Sequence, residues 1–369
     1  MKFRCSGNAL RQEIDYANNF SSSKNSLSII SNVLLEASND MLTIKASDNN
    51  MGFTSSIPVS VTIPGSTTVF CEKLSAVLKN IPDVDLEITE ENGLLNISPA
   101  DNGSADFTIN IKTIDASKFP ELESVDDDSF FSITQRDYFD MIDKTSFAVA
   151  DNDSRHFLTG VYMEKKDDKL VMVATDGKKL ACVRRQFEQD IPDFQPSIIP
   201  VRFLNLIKSI GSGEGVFSIA ISEGRMFVKI ESRLIYSSLI TGNYPNYEKV
   251  IPKNLEHSLV MKTEDLEKAI TLISILAENN SKRIFITLHA NELTVSGENT
   301  EFGDSKQDLP CDYNGPENTI SFNFAVLQNP IKKMGSEMFR LMYTSPLNAM
   351  VFLPEPEKDY LFVLMPMQV

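Results

Sequence analysis

Asn32-Val-Leu-Leu-Glu-Ala, a short polar break, then Met41-Leu-Thr-Ile-Lys-Ala-Ser-Asp48 is the stretch from which the rest of this chain can be read. The same pattern returns as Thr159-Gly-Val-Tyr-Met-Glu with Lys169-Leu-Val-Met-Val-Ala-Thr-Asp176. It returns again as Arg283-Ile-Phe-Ile-Thr-Leu with Glu292-Leu-Thr-Val-Ser-Gly-Glu-Asn299. Each copy reads as two alternating strands joined by a turn of the Asn-Asp, Asp-Asp or Ala-Asn kind. Asp48, Asp176 and Asn299 stand at equivalent points, 128 and 123 positions apart. Repetition at a fixed period predicts three tandem copies of one unit.

The flanks repeat with the hairpins. Before each lies a helical stripe: Leu10, Ile14 and Ala17; Tyr138, Met141, Ile142 and Thr145; Leu266, Ile270, Ile273 and Ala277. After each comes a shorter helix, with apolar positions Leu74, Leu78 and Ile81, then Phe203, Ile207 and Ile210, then Leu327, Ile331 and Met334. Thr263 is predicted to cap one helix start, and Gly211 and Gly335 to cap two ends. Period-two segments follow: Leu86–Thr89, Leu94–Ile97 and Phe107–Ile111; Val216–Ile219, Met226–Ile230 and Leu234–Ser237; Phe339–Met342, Ala349–Phe352 and Leu361–Leu364. Each unit is therefore helix, strands, helix, strands. Boundaries are expected in two polar stretches, Glu123–Ser129 and Pro252–Glu256, giving domains 1–125, 126–253 and 254–369. The acidic triple Asp126, Asp127 and Asp128 reads as solvated linker rather than a metal site.

Length agrees with this division. The chain has 369 residues, 42% hydrophobic and 23% charged, an ordinary globular composition. No run of 18 apolar residues exists, and Ser6, Gly7 and Asn8 interrupt any signal-like start, so a cytosolic protein without a membrane partner is expected. Cys5, Cys71, Cys182 and Cys311 are scattered and expected as reduced, mostly buried thiols. His156, His257 and His289 are isolated, which disfavours a zinc site or a Ser-His-Asp triad. Gly211-Ser-Gly-Glu-Gly215 follows a helix and lacks the Lys-Ser/Thr of a P-loop, so it is a helix stop and turn.

Charge is the remaining clue. The net charge of −16 opposes whole-surface binding to nucleic acid, which requires phosphate neutralisation. The second helices run against that balance. Lys73, Lys79, Arg202, Lys208, Lys332 and Lys333 face one acid, Glu72, for a net of +5. The first helices are mixed in sign. Any contact with DNA is thus expected on one face.

The chain resembles the bacterial replicative sliding clamps, the beta subunit of DNA polymerase III, over its whole length. The resembling segments, in order, are Met1-Lys-Phe3, Ala174-Thr-Asp-Gly-Lys-Lys-Leu-Ala181, Gly242-Asn-Tyr-Pro-Asn-Tyr247, Ile251-Pro-Lys-Asn254 and Leu364-Met-Pro-Met367. The resemblance implies an α+β chain of three clamp-fold domains, each with two helices and two small antiparallel sheets. Two such chains would close head to tail as a homodimeric ring, with twelve helices lining the hole. Helices ~9 Å apart place their axes on a circle ~34 Å across and leave ~24 Å clear, enough for a hydrated duplex. The ring would encircle double-stranded DNA without regard to sequence and tether the polymerase III catalytic subunit, with no cofactor, metal or catalysis of its own. The clamp loader and other polymerases and repair proteins would dock through a short peptide motif.

Residue by residue, the resemblance implies DNA contact at Lys24, Lys79, Asn152, Arg155, His156, Phe157 and Arg202. It implies a dimer seam of Lys73, Ile109 and Ile111 on one subunit against Ile275 and Leu276 on the other. A partner-peptide pocket would lie between the second and third repeats. Leu158, Thr175, Gly177, Leu180, Pro245 and Val250 would line one side, and Leu347, Ala349, Val363, Met365, Pro366 and Met367 the other. The chain departs from the family at Pro330, expected to kink or delay the third short helix. It also departs at Glu72, where relatives often carry a base, and at Ser281 and Val326, where they often carry aromatics. Two rival classes are a metal-dependent nuclease, for which no carboxylate cluster has motif spacing, and a protein-only scaffold, which leaves the basic second helices unexplained.

Overall fold

The turns of the three repeated hairpins are as tight as their sequences predict. In the computed structural model, which describes residues 1–22, 28–101 and 106–368, the strands register Ser38 with Met41, Lys166 with Lys169 and His289 with Glu292. Each leaves a two-residue loop. Asn39 and Asp40 (φ 50° and 55°), Asp167 (55°) and Asn291 (61°) adopt the left-handed backbone that such loops demand and that Asn and Asp tolerate best.

Among the described residues six α-helices accompany the hairpins: α1 Gly7–Asn18, α2 Cys71–Asn80, α3 Gln135–Thr145, α4 Val201–Ile210, α5 Thr263–Ile273 and α6 Phe324–Lys332. The apolar stripes predicted for them are buried, with three adjustments, the first being that Ala277 is buried four residues beyond the end of α5. Ile81 lies one residue beyond α2 and is half-buried, and Met334 is buried just past α6. Thr263 is not a cap. It is the first residue inside α5, and its hydroxyl donates to the Ser336 carbonyl at 2.9 Å. The side chains that do cap are Ser6 for α1 and Asn323 for α6, each accepting from backbone N–H groups of the first turn. Pro330 does not delay α6, which starts six residues earlier at Phe324 and encloses the buried proline. Glu72 sits in the first turn of α2, where a negative charge complements the helix dipole.

The strands form two separate bodies. The first comprises residues 1–135 and 202–239, the second 136–201 and 240–369. In the first, a thirteen-stranded antiparallel sheet joins the first repeat to half of the second. The joint is the ladder between Arg233–Ser238 and Met51–Pro58. Gly52 lies opposite Tyr236 there, and a Cβ at that position would sit 2.1 Å from the ring, so the joint admits only glycine. In the second body, a nine-stranded sheet joins Lys179–Gln186 of the second repeat to Tyr360–Leu364 of the third. A four-stranded sheet, Arg283–His289, Glu292–Asn299, Gly303–Pro310 and Asn318–Asn323, completes it. Within the bodies α1 packs on α2, and α5 on α6. Phe107 lies outside the strand predicted to hold it, which begins at Ile109.

The first polar connector turns out to be a sheet cover, and so does the segment that leads into the second. Leu122, Val125 and Phe130 pack on Ala220, Phe227 and Tyr236. Glu123 pairs with Arg225 at 2.6 Å, and Asp127 pairs with Lys229, so this connector is strapped down rather than merely solvated. In the second body, Tyr244, Tyr247, Ile251 and Leu255 cover Val171, Val173, Leu180 and Cys182. The strand Lys169–Thr175 is consequently buried on both faces, not one as its alternation with neighbours predicts. Cys5, Cys71 and Cys182 are buried and free, and desolvation pushes each thiol up to about 12. No helix among the described residues is long and apolar enough to cross a membrane.

Candidate functional site

A cavity of about 380 Å³ opens in the second body where the cover over Lys169–Thr175 ends. Its floor is apolar: Leu158, Leu180 and Val363 are nearly inaccessible to solvent. Pro245, Tyr247 and Val250, from the connector, form one wall; Ala349 and Met365, from the third repeat, form the other. Thr175 and Gly177 close the end. Nine of the twelve residues expected at the pocket therefore line one cavity. Leu347, Pro366 and Met367 do not; Leu347 projects 66% exposed, and Met367 donates its backbone N–H to the Ser321 carbonyl at 2.7 Å.

The turn at Asp176-Gly177 is built to hold its shape. Asp176 Oδ1 accepts the N–H groups of Lys178 and Lys179 at 2.8 and 2.9 Å. The Thr175 hydroxyl accepts from Gly177 N–H and donates to the Lys179 carbonyl. Gly177 has φ +92°, a conformation that a side chain would strain. The C-terminal segment is likewise tied down. Met365 N–H reaches the Lys178 carbonyl at 2.9 Å, and Arg283 Nη2 reaches the Gln368 carbonyl at 3.2 Å. It is not frayed.

Sequence reasoning missed Tyr247, Lys178 and Lys179 as lining residues, and it placed Arg155 and Phe157 only towards DNA. Both stand at the cavity rim. Arg155 grips Asp153 through Nε and Nη2 at 3.0 and 2.8 Å and donates to the Asp176 carbonyl at 3.3 Å. That guanidinium and the Arg155 N–H hold the Asp153 carboxyl down at about 2. Phe157 packs where Gly242 leaves room; a Cβ on that glycine would come within 3.1 Å of it. Asn152 and His156 are exposed beside the rim but not in it. Arg155, Lys178 and Lys179 thus stand over an apolar floor, Arg155 paired with Asp153 and Lys179 with Asp176 at 3.6 Å.

The basic second helices are less bare than their own sequences predict. Lys79 pairs with Asp15 at 2.9 Å, Arg202 with Asp48 at 3.1 Å and Lys333 with Asp143 at 3.5 Å. Arg202 also donates to the Asn19 carbonyl at 2.6 Å. A count along a helix cannot see carboxylates delivered by another element. The cations of these pairs remain solvent-exposed, so the pairs hold little energy. Lys73 and Lys332 are exposed. Lys24 lies outside the described residues.

Of the seam candidates, Ile275 is 73% exposed at the end of α5, Leu276 is half-buried and Lys73 is exposed. Leu272, one turn earlier, is 55% exposed and belongs to the same patch, a residue that the sequence reading omitted. Ile109 and Ile111 are half-buried on a strand that pairs with Leu94–Pro99 on one side and meets Gly65–Phe70 only at Thr113 and Ile114. One edge of Ile109–Lys112 therefore has no ladder partner among the described residues. Gly303–Pro310 is an edge strand of its sheet.

Comparison with known proteins covers the whole chain. Family models of the DNA polymerase III beta subunit match in order: the N-terminal domain at residues 1–123, the central domain at 132–246 and the C-terminal domain at 248–368. The beta sliding clamp of Treponema pallidum is 32% identical over 372 residues, covering all of both chains. That of Escherichia coli K12 is 24% identical over 93% of each. Among solved structures, the Pseudomonas aeruginosa sliding clamp bound to griselimycin superposes with a TM-score of 0.92 at 25% identity, over the full length of both. The Bacillus subtilis clamp, at 23% identity, shares the fold with a TM-score of 0.93.

Proposed function

Since the chain belongs to the DNA polymerase III beta-subunit family and is a sliding-clamp processivity factor, we propose that two copies close head to tail around duplex DNA and carry partner proteins on the cavity described above. Three domains, 1–125, 126–253 and 254–369, would make each half of the ring. The observation that carries this is the match of all three repeats, in order, to one family whose relatives align end to end with this chain.

The physical logic is topological. A closed ring needs no strong contact with DNA, so a chain of net charge −16 can serve provided that its cations face the duplex. Lys79 and Arg202, exposed on second helices and weakly paired, suit this role, with Lys24, Asn152, Arg155, His156 and Phe157 as further contacts. At the seam, Ile275 and Leu276 would bury against Ile109 and Ile111 of a second copy, beside Lys73. The free edge of Ile109–Lys112 and the edge strand Gly303–Pro310 each offer unpaired backbone to a second chain.

The cavity would take a short extended peptide ending in Leu- and Phe-like side chains. Two such side chains contribute ~3–6 kcal/mol on burial. After ordering costs, a lone peptide should reach micromolar affinity, about −8 kcal/mol. Met365 in the wall suits several partners, because an unbranched thioether repacks. The polymerase III catalytic subunit, the clamp loader and other polymerases and repair proteins are the partners proposed, and the protein itself catalyses nothing.

The test is retention on circular DNA. Protein loaded on a nicked circle should stay through gel filtration and be lost when the circle is linearised. Equal loss from both forms refutes topological holding.

A further inference from the structure

Glu164 lies behind the cavity, on the strand Gly160–Lys166, and does not line it. Its Oε1 accepts the Tyr247 hydroxyl at 2.7 Å, and its Oε2 accepts the Tyr162 hydroxyl at 2.8 Å. Tyr162 lies flat on Tyr244, ring centroids 4.7 Å apart and planes 13° apart. Two residues along the same strand, Lys166 pairs with Glu248. One strand therefore holds the connector at Tyr244, Tyr247 and Glu248, which flank the cavity-lining Pro245 and lie just before the cavity-lining Val250.

That connector needs holding. Apart from the single turn Tyr247–Lys249 it has no regular secondary structure, so side-chain contacts alone determine where its wall stands. Val250, at its end, is 58% exposed. Burial, followed by the bond to Glu164, raises both phenols above their usual range, so each remains a donor at any physiological pH. A carboxylate is the side chain that can accept from two phenols at once without offering a donor of its own.

We infer that Glu164 is a positioning residue for the cavity: through Tyr247 and Tyr162 it sets the connector wall against which a partner peptide packs, without touching the peptide. This rests on the cavity being the peptide site. With Glu164 shortened, both hydroxyls lose their acceptor, and ordering of the wall becomes a cost of binding.

The test uses the full-length protein and a fluorescent decapeptide ending in Leu-Phe, read by anisotropy. Glu164→Ala should weaken binding about ten-fold, whereas Glu164→Gln, which keeps the volume and one acceptor oxygen, should stay within about three-fold of wild type. Tyr247→Phe should weaken binding by itself, and Glu164→Ala with Tyr247→Phe should be no weaker than Glu164→Ala alone, because both remove one contact. Unchanged affinity in Glu164→Ala, or penalties that add in the double variant, overturns the inference. Circular dichroism on the same samples reports folding; if Glu164→Ala does not fold, Tyr247→Phe decides, and wild-type affinity there overturns the inference. Wild-type protein that fails to bind the decapeptide overturns the peptide site itself. A C-terminal deletion that loses binding beside a Glu164→Ala protein that keeps it overturns only the role of Glu164.

Discussion

Arg233 and Glu13, 220 positions apart in the chain, meet in a buried fork: Arg233 Nη2 donates to Glu13 Oε1 at 2.6 Å, and Nε lies 3.1 Å from both carboxylate oxygens. The pair ties α1 of the first repeat to the strand by which the second repeat joins its sheet. The Tyr16 ring stands 5.0 Å from the guanidinium, and Glu231 accepts from Nη1 at 2.6 Å.

Breaking this fork from one side should be costly. Arg233→Met leaves Glu13, 3% exposed, as a buried charge without its partner, at about 3–5 kcal/mol. Glu13→Leu combined with Arg233→Met should recover much of the loss. Urea unfolding of the three proteins measures this, and a single variant within ~1 kcal/mol of wild type would count against a structural role for the pair.

The exposed patch at the end of α5 predicts an assembly defect. Ile275 and Leu276 should each contribute ~1.5–3 kcal/mol when covered. Changing both to Asp should yield a folded monomer of 41.2 kDa by light scattering. A persistent dimer would place the seam elsewhere.

Deleting residues 365–369 should abolish peptide binding. It removes Met365 from the wall and the backbone bond to Lys178 that braces the Asp176-Gly177 turn. The dimer and its retention on circular DNA should survive, because the seam candidates lie outside the deleted segment. Unchanged peptide affinity would show that the cavity is not the docking site.

The rim should resist acid. Asp153 titrates at about 2 in the folded chain against an ordinary 3.8, a depressed value caused first by the Arg155 side chain. Its contribution to the folded rim is therefore present above about pH 4 and is lost as pH falls through about 2. Carboxyl NMR should find the Asp153 midpoint near 2, moving towards 3.8 in Arg155→Ala. A wild-type midpoint near 4 would mean that the ion pair does not form in solution.

Local chemistry determined the repeated unit. Two-residue turns of Asn and Asp need no distant partner to adopt left-handed backbone, and the stripe of Leu266, Ile270 and Ile273 buries whatever lies opposite. The cavity was legible in outline because the segments 174–181, 242–247 and 364–367, which supply much of its lining, resemble a known family in order. Tertiary structure decided the rest. Glu13 has no local reason to be buried until Arg233 arrives from 220 residues away, and Lys79 appears free until Asp15 reaches it. The segment around Tyr247 is legible only as part of a family-resembling stretch, and the boundary after it, Pro252–Glu256, reads as polar linker, because the apolar residues here are too few and irregular for any helix or strand. Only the fold brings the outer face of Lys169–Thr175 beneath them, and long-range contact of that kind leaves no period in the sequence.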